Sequence, residues 1–444
     1  MARLARITFL TIILLISTGI IFRFVLDERI LWGVRVSSIN LGGLTRTEAE
    51  KKLRPLVDLL EQRTIYFYYE NRHWSLEPEL IGFKVDLDKT LEDAYAISRK
   101  SNLIDSIKEL YASIFVGRNL TLKVHVDDGK LAQVLNTLDQ EVHVSPKSVE
   151  LEIVDSRVKI LRKSIEGREL QIKETQDQLN SILASGGNKI TLVVKKIQPR
   201  LSNKILEQMR PLGLLSSFIT NFKSAERERS KNIEIAAESI KGYIIQPGDI
   251  FSFNQVVGPR SEEDGYKKAL VIINNKFVPD WGGGVCQVST TLYNAALLAD
   301  MDILKRKEHS RPVKYIPPGR GSTVAFGLID LQISNPLPKP VIIWTKFEKE
   351  NVIVYFLGEK DPGKEVIIES TDYKEITPAI ITKESDQILK GKELVEEEGA
   401  NGYQVTTWRI VKRNGKTIRR VLLAKDKLEA IDRVIVIGIK EPFP

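Results

Sequence analysis

The sequence predicts a multidomain α+β protein, and three features predict it. Residues 33–201 alternate strand-like and helix-like stretches, and a strand-rich segment follows the chain's only cysteine. After Asp361-Pro362-Gly363 the composition turns Lys/Glu/Ile/Val-rich, with the hairpin signal Asn414-Gly415 between two strand-like runs. A length of 444 residues allows two to four domains, each able to bury a core of its own. The composition shifts divide the chain into a leader over 1–29, a mixed α/β region over 30–205, an α+β domain over 206–360 and a small β-rich domain over 361–444.

In the leader, Ile7 to Phe22 carries no charge and is bracketed by Arg3, Arg6 and Arg23. Continued through Phe24, Val25 and Leu26, the run approaches the roughly 20 residues that span a bilayer. No small-x-small cleavage pattern ends it, so the expectation is an uncleaved signal anchor. The short arginine-bearing end would face the cytoplasm, and the bulk of the chain the extracellular, wall-side space. A single cysteine excludes an intramolecular disulfide. The formal charge of +8 suits an anionic surface such as wall polymer or lipid headgroups. Nucleic acid is not an expected partner, because export removes it and no aromatic-basic platform stands out. No cofactor is expected.

From Gly33 the chain reads as strand, glycine turn and helix, with Thr45 or Thr47 capping a helix through Glu48. Thr64 to Tyr69 is aromatic and β-branched, hence strand. Asp86 opens a helix, Asp127 to Leu138 forms a short one, and strands follow at Ser148 to Val154 and Val158 to Leu161. A helix over 174–184 precedes a strand over 189–197. Nothing here looks catalytic. His73, His125 and His143 lie in this region, where packing or surface roles are the default.

The helix from Asn232 to about Ile240 is followed by Pro247-Gly248-Asp249, a turn, and by Phe251-Ser252-Phe253-Asn254. Past the cysteine, strands are expected at Val313 to Ile316, Thr323 to Phe326, Leu331 to Ser334, Val341 to Lys346 and Val352 to Leu357, making a sheet.

The chemistry concentrates at Gly282-Gly283-Gly284-Val285-Cys286-Gln287-Val288-Ser289-Thr290-Thr291-Leu292-Tyr293-Asn294. Val288, Leu292, Ala295 and Ala299 recur at helical spacing and mark a buried face. Cys286, Ser289, Thr290 and Tyr293 share another, polar face, open to a substrate. A thiol in the first helical turn meets unpaired N–H groups and the positive dipole end, which favour thiolate. A free cysteine more often simply packs, so both readings stand. A nucleophile needs a base, and His309, 23 positions on, can return to it. Backbone N–H groups of Gly283, Gly284 and Val285 could stabilise an oxyanion, and Asp330 could orient the imidazole. Arg260, Arg311 and Arg320 could grip a carboxylate. Zinc on Cys286 and His309 would need two more ligands, and no close ligand pair offers them.

These residues resemble the VanW family over a string of matched positions. It runs from Pro247-Gly248-Asp249 through Gly258-Pro259-Arg260, Gly265-Tyr266, Gly282 to Ala299, His309-Ser310-x-Pro312-Val313-x-Tyr315 and Pro317-Pro318-Gly319-Arg320 to Asn335. The region upstream looks like the peptidoglycan-binding domain that often accompanies VanW domains, and the C-terminal piece is similar to a G5 module. The resemblance implies an L,D-transpeptidase acting on peptidoglycan peptide stems. Cys286 would attack the carbonyl of the third stem residue and expel the terminal D-alanine, with His309 as base. An amine of a neighbouring stem would take the acyl group in a 3–3 cross-link. It also leaves open a non-catalytic peptidoglycan-binding protein, including a glycopeptide-resistance accessory. One departure stands out: an acidic residue is expected after the arginine of Pro-Pro-Gly-Arg, and this chain has Gly321.

Overall fold

Thr45 carries the capping box that its spacing to Glu48 predicts. The Glu48 N–H donates to Thr45 Oγ1 and the Thr45 N–H to Glu48 Oε2 at 2.9 Å, opening the helix Arg46–Gln62. Asp86 and Asp127 cap Leu87–Ala96 and Asp128–Val142 in the same way, each accepting an N–H three residues on. The computed structural model describes residues 28–97, 103–273 and 275–441, with scattered positions between 6 and 19. The expected anchor lies mostly outside them. Among the described residues no helix is long and apolar enough to cross a membrane.

The chain divides into two units, residues 1–146 with 166–198 and residues 147–165 with 199–444. In the first, Ile65–Tyr69 pairs parallel with Lys189–Thr191 and antiparallel with Arg72–Leu76. The helices Arg46–Gln62, Asp128–Val142 and Ile172–Ala184 turn Leu53, Val57, Leu131, Leu135, Leu179 and Leu183 into one core. Each fully buried leucine contributes about 1.5–3 kcal/mol.

The second unit is built on an antiparallel sheet in the order Gly213–Asn221, Asn351–Gly358, Val341–Glu348, Tyr243–Ile245. Successive side chains on a strand point to opposite faces. Val341, Ile343, Val352, Val354 and Phe356 accordingly meet the core of the helices Arg227–Ile240 and Val285–Leu298. Ile342, Trp344 and Leu357 face a second cluster with Val149, Leu151, Leu201 and Leu206. Burial on both faces explains why 341–344 reads as an unbroken apolar run. A small sheet joins Ile250–Ser252, Gln332–Ser334 and Asp302–Lys305, and a hairpin pairs Lys268–Ile273 with Lys276–Trp281. The C-terminal part is entirely β, with one antiparallel sheet over Lys364–Ile376, Gly402–Arg413 and Lys416–Leu428. In its second sheet, Arg433–Lys440 lies between Ile380–Leu389 and Glu393–Glu397. The mixed multidomain class with a β-rich C-terminus therefore holds.

Two expected strands do not form. Residues 313–316 are loop and turn, because Pro312, Pro317 and Pro318 bracket them and cannot donate to a ladder. Residues 323–326 are also irregular, since their backbone is spent elsewhere. Thr323 N–H donates to Lys307 O, Val324 N–H to the Cys286 sulfur, and only Ala325 forms an isolated bridge, to Ile329.

Candidate functional site around Cys286

The helix Val285–Leu298 begins at Gly284, whose φ of 111° is one that side chains rarely adopt. A Cβ there would also come within 2.9 Å of Ile233 and 3.1 Å of the Arg229 carbonyl. Glycine at this point lets the helix start against Arg227–Ile240, with Asn232 holding the Gly283 carbonyl at 2.9 Å. Cys286 falls at the second helical position, among the N–H groups that no earlier carbonyl satisfies. It is half-buried. Its sulfur lies 3.5 Å from Thr323 Oγ1 and 3.4 Å from the Val324 carbonyl, and receives the Val324 N–H at 3.5 Å.

The predicted partners are not assembled around this sulfur. His309 is buried, and its Nε2 lies 3.1 Å from the Tyr315 hydroxyl and 3.4 Å from Thr290 Oγ1. Among the described residues no hydrogen bond joins it to Cys286. Asp330 does not orient the imidazole: it accepts from Ser252 Oγ at 2.6 Å, Asn254 N–H at 2.9 Å and Gln332 Nε2 at 3.3 Å. Ser252 caps the short helix Phe253–Val257, accepting the Gln255 N–H at 3.2 Å, and Asp330 braces that cap from behind. Of the proposed oxyanion donors, the Val285 N–H is spent on Gly282 O at 3.0 Å. Gly283 and Gly284 immediately precede the first helical residue, Val285.

Three residues expected to face a substrate are inside the protein. Ser289 and Thr290 are 0 % exposed and Tyr293 2 %, because the helix is covered on both sides. Ser289 bonds Ser322 Oγ at 3.1 Å, and Thr290 Oγ1 accepts the Ser322 N–H at 3.0 Å, so these hydroxyls fasten the 322–324 segment beside the sulfur. The Tyr293 ring lies under the Arg306 guanidinium. Arg311 is likewise occupied, by Asn275 O, Glu397 and the Phe277 ring. Arg320 donates to Asn294 Oδ1 and stacks near Phe218. Arg260 alone of the three arginines keeps its terminal nitrogens without partners.

Burial first, and the nearby Arg306 second, lower the His309 pKa to about 4. A free histidine has a pKa near 6.5, so the unfolded chain takes up a proton that the folded one refuses between those values. Stability from this residue is therefore complete above pH 6.5 and lost as the pH falls toward 4. Urea unfolding at pH 7.5 and pH 5 should differ by about 2 kcal/mol on its account, a difference that His309→Gln should remove.

The departure at Gly321 has a local cause. A Cβ there would fall 1.9 Å from Glu308 Oε1 and 2.7 Å from His309 Cδ2. The Glu308 carboxylate fills that space, taking the Gly321 N–H at 3.2 Å, the His309 N–H at 2.9 Å and Arg306 Nη2 at 2.5 Å. Gly321→Ala should cost about 1–3 kcal/mol in chemical unfolding, because the carboxylate is pinned and cannot yield. Tyr315, Tyr266, Asn254 and Thr323 are site residues to which the sequence assigned no role. The first three stand in the matched motif, which was the available signal.

A VanW like protein model matches residues 228–357, which contain this site. A candidate peptidoglycan binding domain model matches 74–191, and a G5 domain model matches 367–440. The chain is 34 % identical over 226 residues to the uncharacterized protein YoaR of Bacillus subtilis (strain 168), covering 50 % of this chain and 72 % of that one. It is 31 % identical over 138 residues to the vancomycin B-type resistance protein VanW of Enterococcus faecalis, covering 30 % of this chain and 50 % of that one. The IgA1 protease G5 domain structure aligns at 20 % identity and a TM-score of 0.15, over 17 % of this chain and 93 % of that one. With the three segments in the expected order and most of YoaR's length matched, the chain belongs to the VanW family.

Proposed function

We propose that this peptidoglycan-associated protein of the VanW family acts by binding the peptide stems of the cell wall. The observation that carries the reading is the peptidoglycan binding match over 74–191 in the same chain as the VanW segment. The charge of +8 favours retention on an anionic wall. An outward-facing chain held at the membrane by residues 7–26 belongs to the same proposal. The test incubates the full chain with purified sacculi and sediments them. Most of the protein should follow the pellet, and soluble muropeptides should release it; protein left in the supernatant would refute the reading.

A second reading, cysteine-dependent L,D-transpeptidation, is favoured by the half-buried Cys286 in the first turn of its helix, with the Val324 N–H on its sulfur. The thiolate would add to the third-residue carbonyl, forming a C–S bond while the C–N bond to D-alanine breaks. The leaving amine takes a proton. A neighbouring stem's amine then forms the new C–N bond as the C–S bond breaks. His309, whose Nε2 faces the Tyr315 hydroxyl, would act as base through that hydroxyl rather than on the sulfur directly. Incubation with a disaccharide-tetrapeptide, followed by mass spectrometry, separates the outcomes. Free D-alanine with 3–3 dimers supports transfer, free D-alanine alone supports hydrolysis, and unchanged substrate leaves binding only.

A further inference from the structure

Arg260 is half-buried, and its charged end has no anion in hydrogen-bond contact among the described residues. Its Nη1 and Nη2 are shut off from solvent and make no hydrogen bond among the described residues. The stem lies on Gly282, where a Cβ would come within 2.8 Å of Arg260 Cγ. The guanidinium sits between two rings, 5.8 Å from the Phe253 centroid and 5.7 Å from that of Phe326. Phe326 follows Val324, whose backbone holds the Cys286 sulfur, by two residues, and Cys286 is within electrostatic reach of the Arg260 charge. Asp330 lies within its electrostatic reach but already serves Ser252, Asn254 and Gln332.

Leaving a buried guanidinium unpaired is costly, and proteins seldom retain one without use for it. The neighbourhood repeats the pattern. Tyr266 is 1 % exposed, and its hydroxyl also lacks a partner. Burial pushes its pKa up to about 12, so it stays a neutral O–H donor. The Asn254 Oδ1 is unpaired too, and four of the seven such atoms among the described residues belong to Arg260, Tyr266 and Asn254.

We infer that Arg260, assisted by Tyr266, is the receptor for a peptide's free C-terminal carboxylate, which it holds beside Cys286. The flanking rings define a slot suited to a planar anion lying in the guanidinium plane, where both terminal nitrogens can donate at once. A tetrahedral phosphate fits that slot less well. Entry requires Phe326 to swing aside. Phe326 is 51 % exposed and neighbours Leu328, which is 87 % exposed, on a tight turn at Gly327.

The inference rests on the wall-peptide reading, and its test separates the two. The full chain carrying Cys286→Ala, which removes the thiol, is titrated with L-alanyl-γ-D-glutamyl-L-lysyl-D-alanine and with the same peptide as its C-terminal amide. The acid should bind at least roughly ten-fold tighter. Arg260→Gln should abolish that preference while sacculus retention persists, and Arg260→Lys should keep part of it. In the absence of peptide, Arg260→Gln should unfold at the same or a higher urea concentration, since an unpaired buried charge has gone. Equal binding of acid and amide, no binding of either, or a preference that survives Arg260→Gln would overturn the carboxylate receptor. Failure of the unsubstituted chain to sediment with sacculi would overturn the wall reading as well.

Discussion

Arg306→Met is expected to destabilise the second unit by about 3–5 kcal/mol at pH 7, more than two orders of magnitude in the folding equilibrium. Arg306 donates to both oxygens of Asp426 at 2.7 and 2.8 Å, to Glu308 Oε2 at 2.5 Å and, through Nε, to Gly321 O at 2.7 Å. All three charged side chains are nearly sealed from water, at 8 % exposure for Arg306, 13 % for Glu308 and 12 % for Asp426. Burial alone would weaken the Arg306 charge, but Tyr293, Glu308 and Asp426 outweigh it and raise its pKa. Removing the cation leaves two buried carboxylates facing one another, which cannot both remain ionised. Burial already pushes the Asp426 carboxyl up, against the pull of Arg306. In the variant, the folded state would hold its proton more tightly than the unfolded chain. The loss should accordingly be full at pH 7 and shrink as the pH falls toward 5, the reverse of the His309 trend. Adding Asp426→Asn and Glu308→Gln should restore much of the stability, and urea unfolding at the two pH values measures all of this.

Most of what was legible in the sequence is local. The capping box at Thr45 and Glu48, the Asp86 and Asp127 caps and the glycine turn before Cys286 depend on neighbours within four residues, and each formed as spaced. The buried stripe Val288, Leu292, Ala295, Ala299 was equally readable. Periodicity could not tell that the opposite stripe is also covered. Ser289 and Thr290 look solvent-facing until the 322–324 segment is laid across them, which is a long-range packing event. The same holds for Asp330: a carboxylate near a motif histidine invites a catalytic role, yet its partners come from residues 252 and 254, far upstream. Arg260, Arg311 and Arg320 were indistinguishable as letters. Only tertiary contacts show two of them engaged and one left without an acceptor. Pro312, Pro317 and Pro318 carry a local signal against a strand between them, and there the expected strand gives way to loop and turn.

Cys286→Ala should separate chemistry from architecture more sharply than any other single change. The side chain contributes little to the fold: it is half-buried, and its sulfur makes three long contacts to Thr323 and Val324. Its replacement should shift unfolding by less than about 1 kcal/mol, the range for a partly exposed site without a charge or cavity penalty. Sacculus retention should not change, because the peptidoglycan binding match lies over 74–191. Any release of D-alanine from a tetrapeptide should fall by at least about 10³-fold, since loss of the nucleophile removes the whole covalent route. Cys286→Ser keeps a hydroxyl near Val324 but not the more nucleophilic sulfur, so it should fall almost as far. Turnover that persists in the alanine variant would end the nucleophile assignment, whatever the binding data say. Iodoacetamide supplies the complementary measurement on the unsubstituted chain. A thiol at the open end of a helix, with an N–H directed at its sulfur, should alkylate near neutral pH much faster than a buried one. Stem peptide should slow that labelling, because a stem held against the sulfur blocks the reagent. Labelling that is slow and indifferent to peptide would mean that Cys286 only packs and that no stem lies against its sulfur.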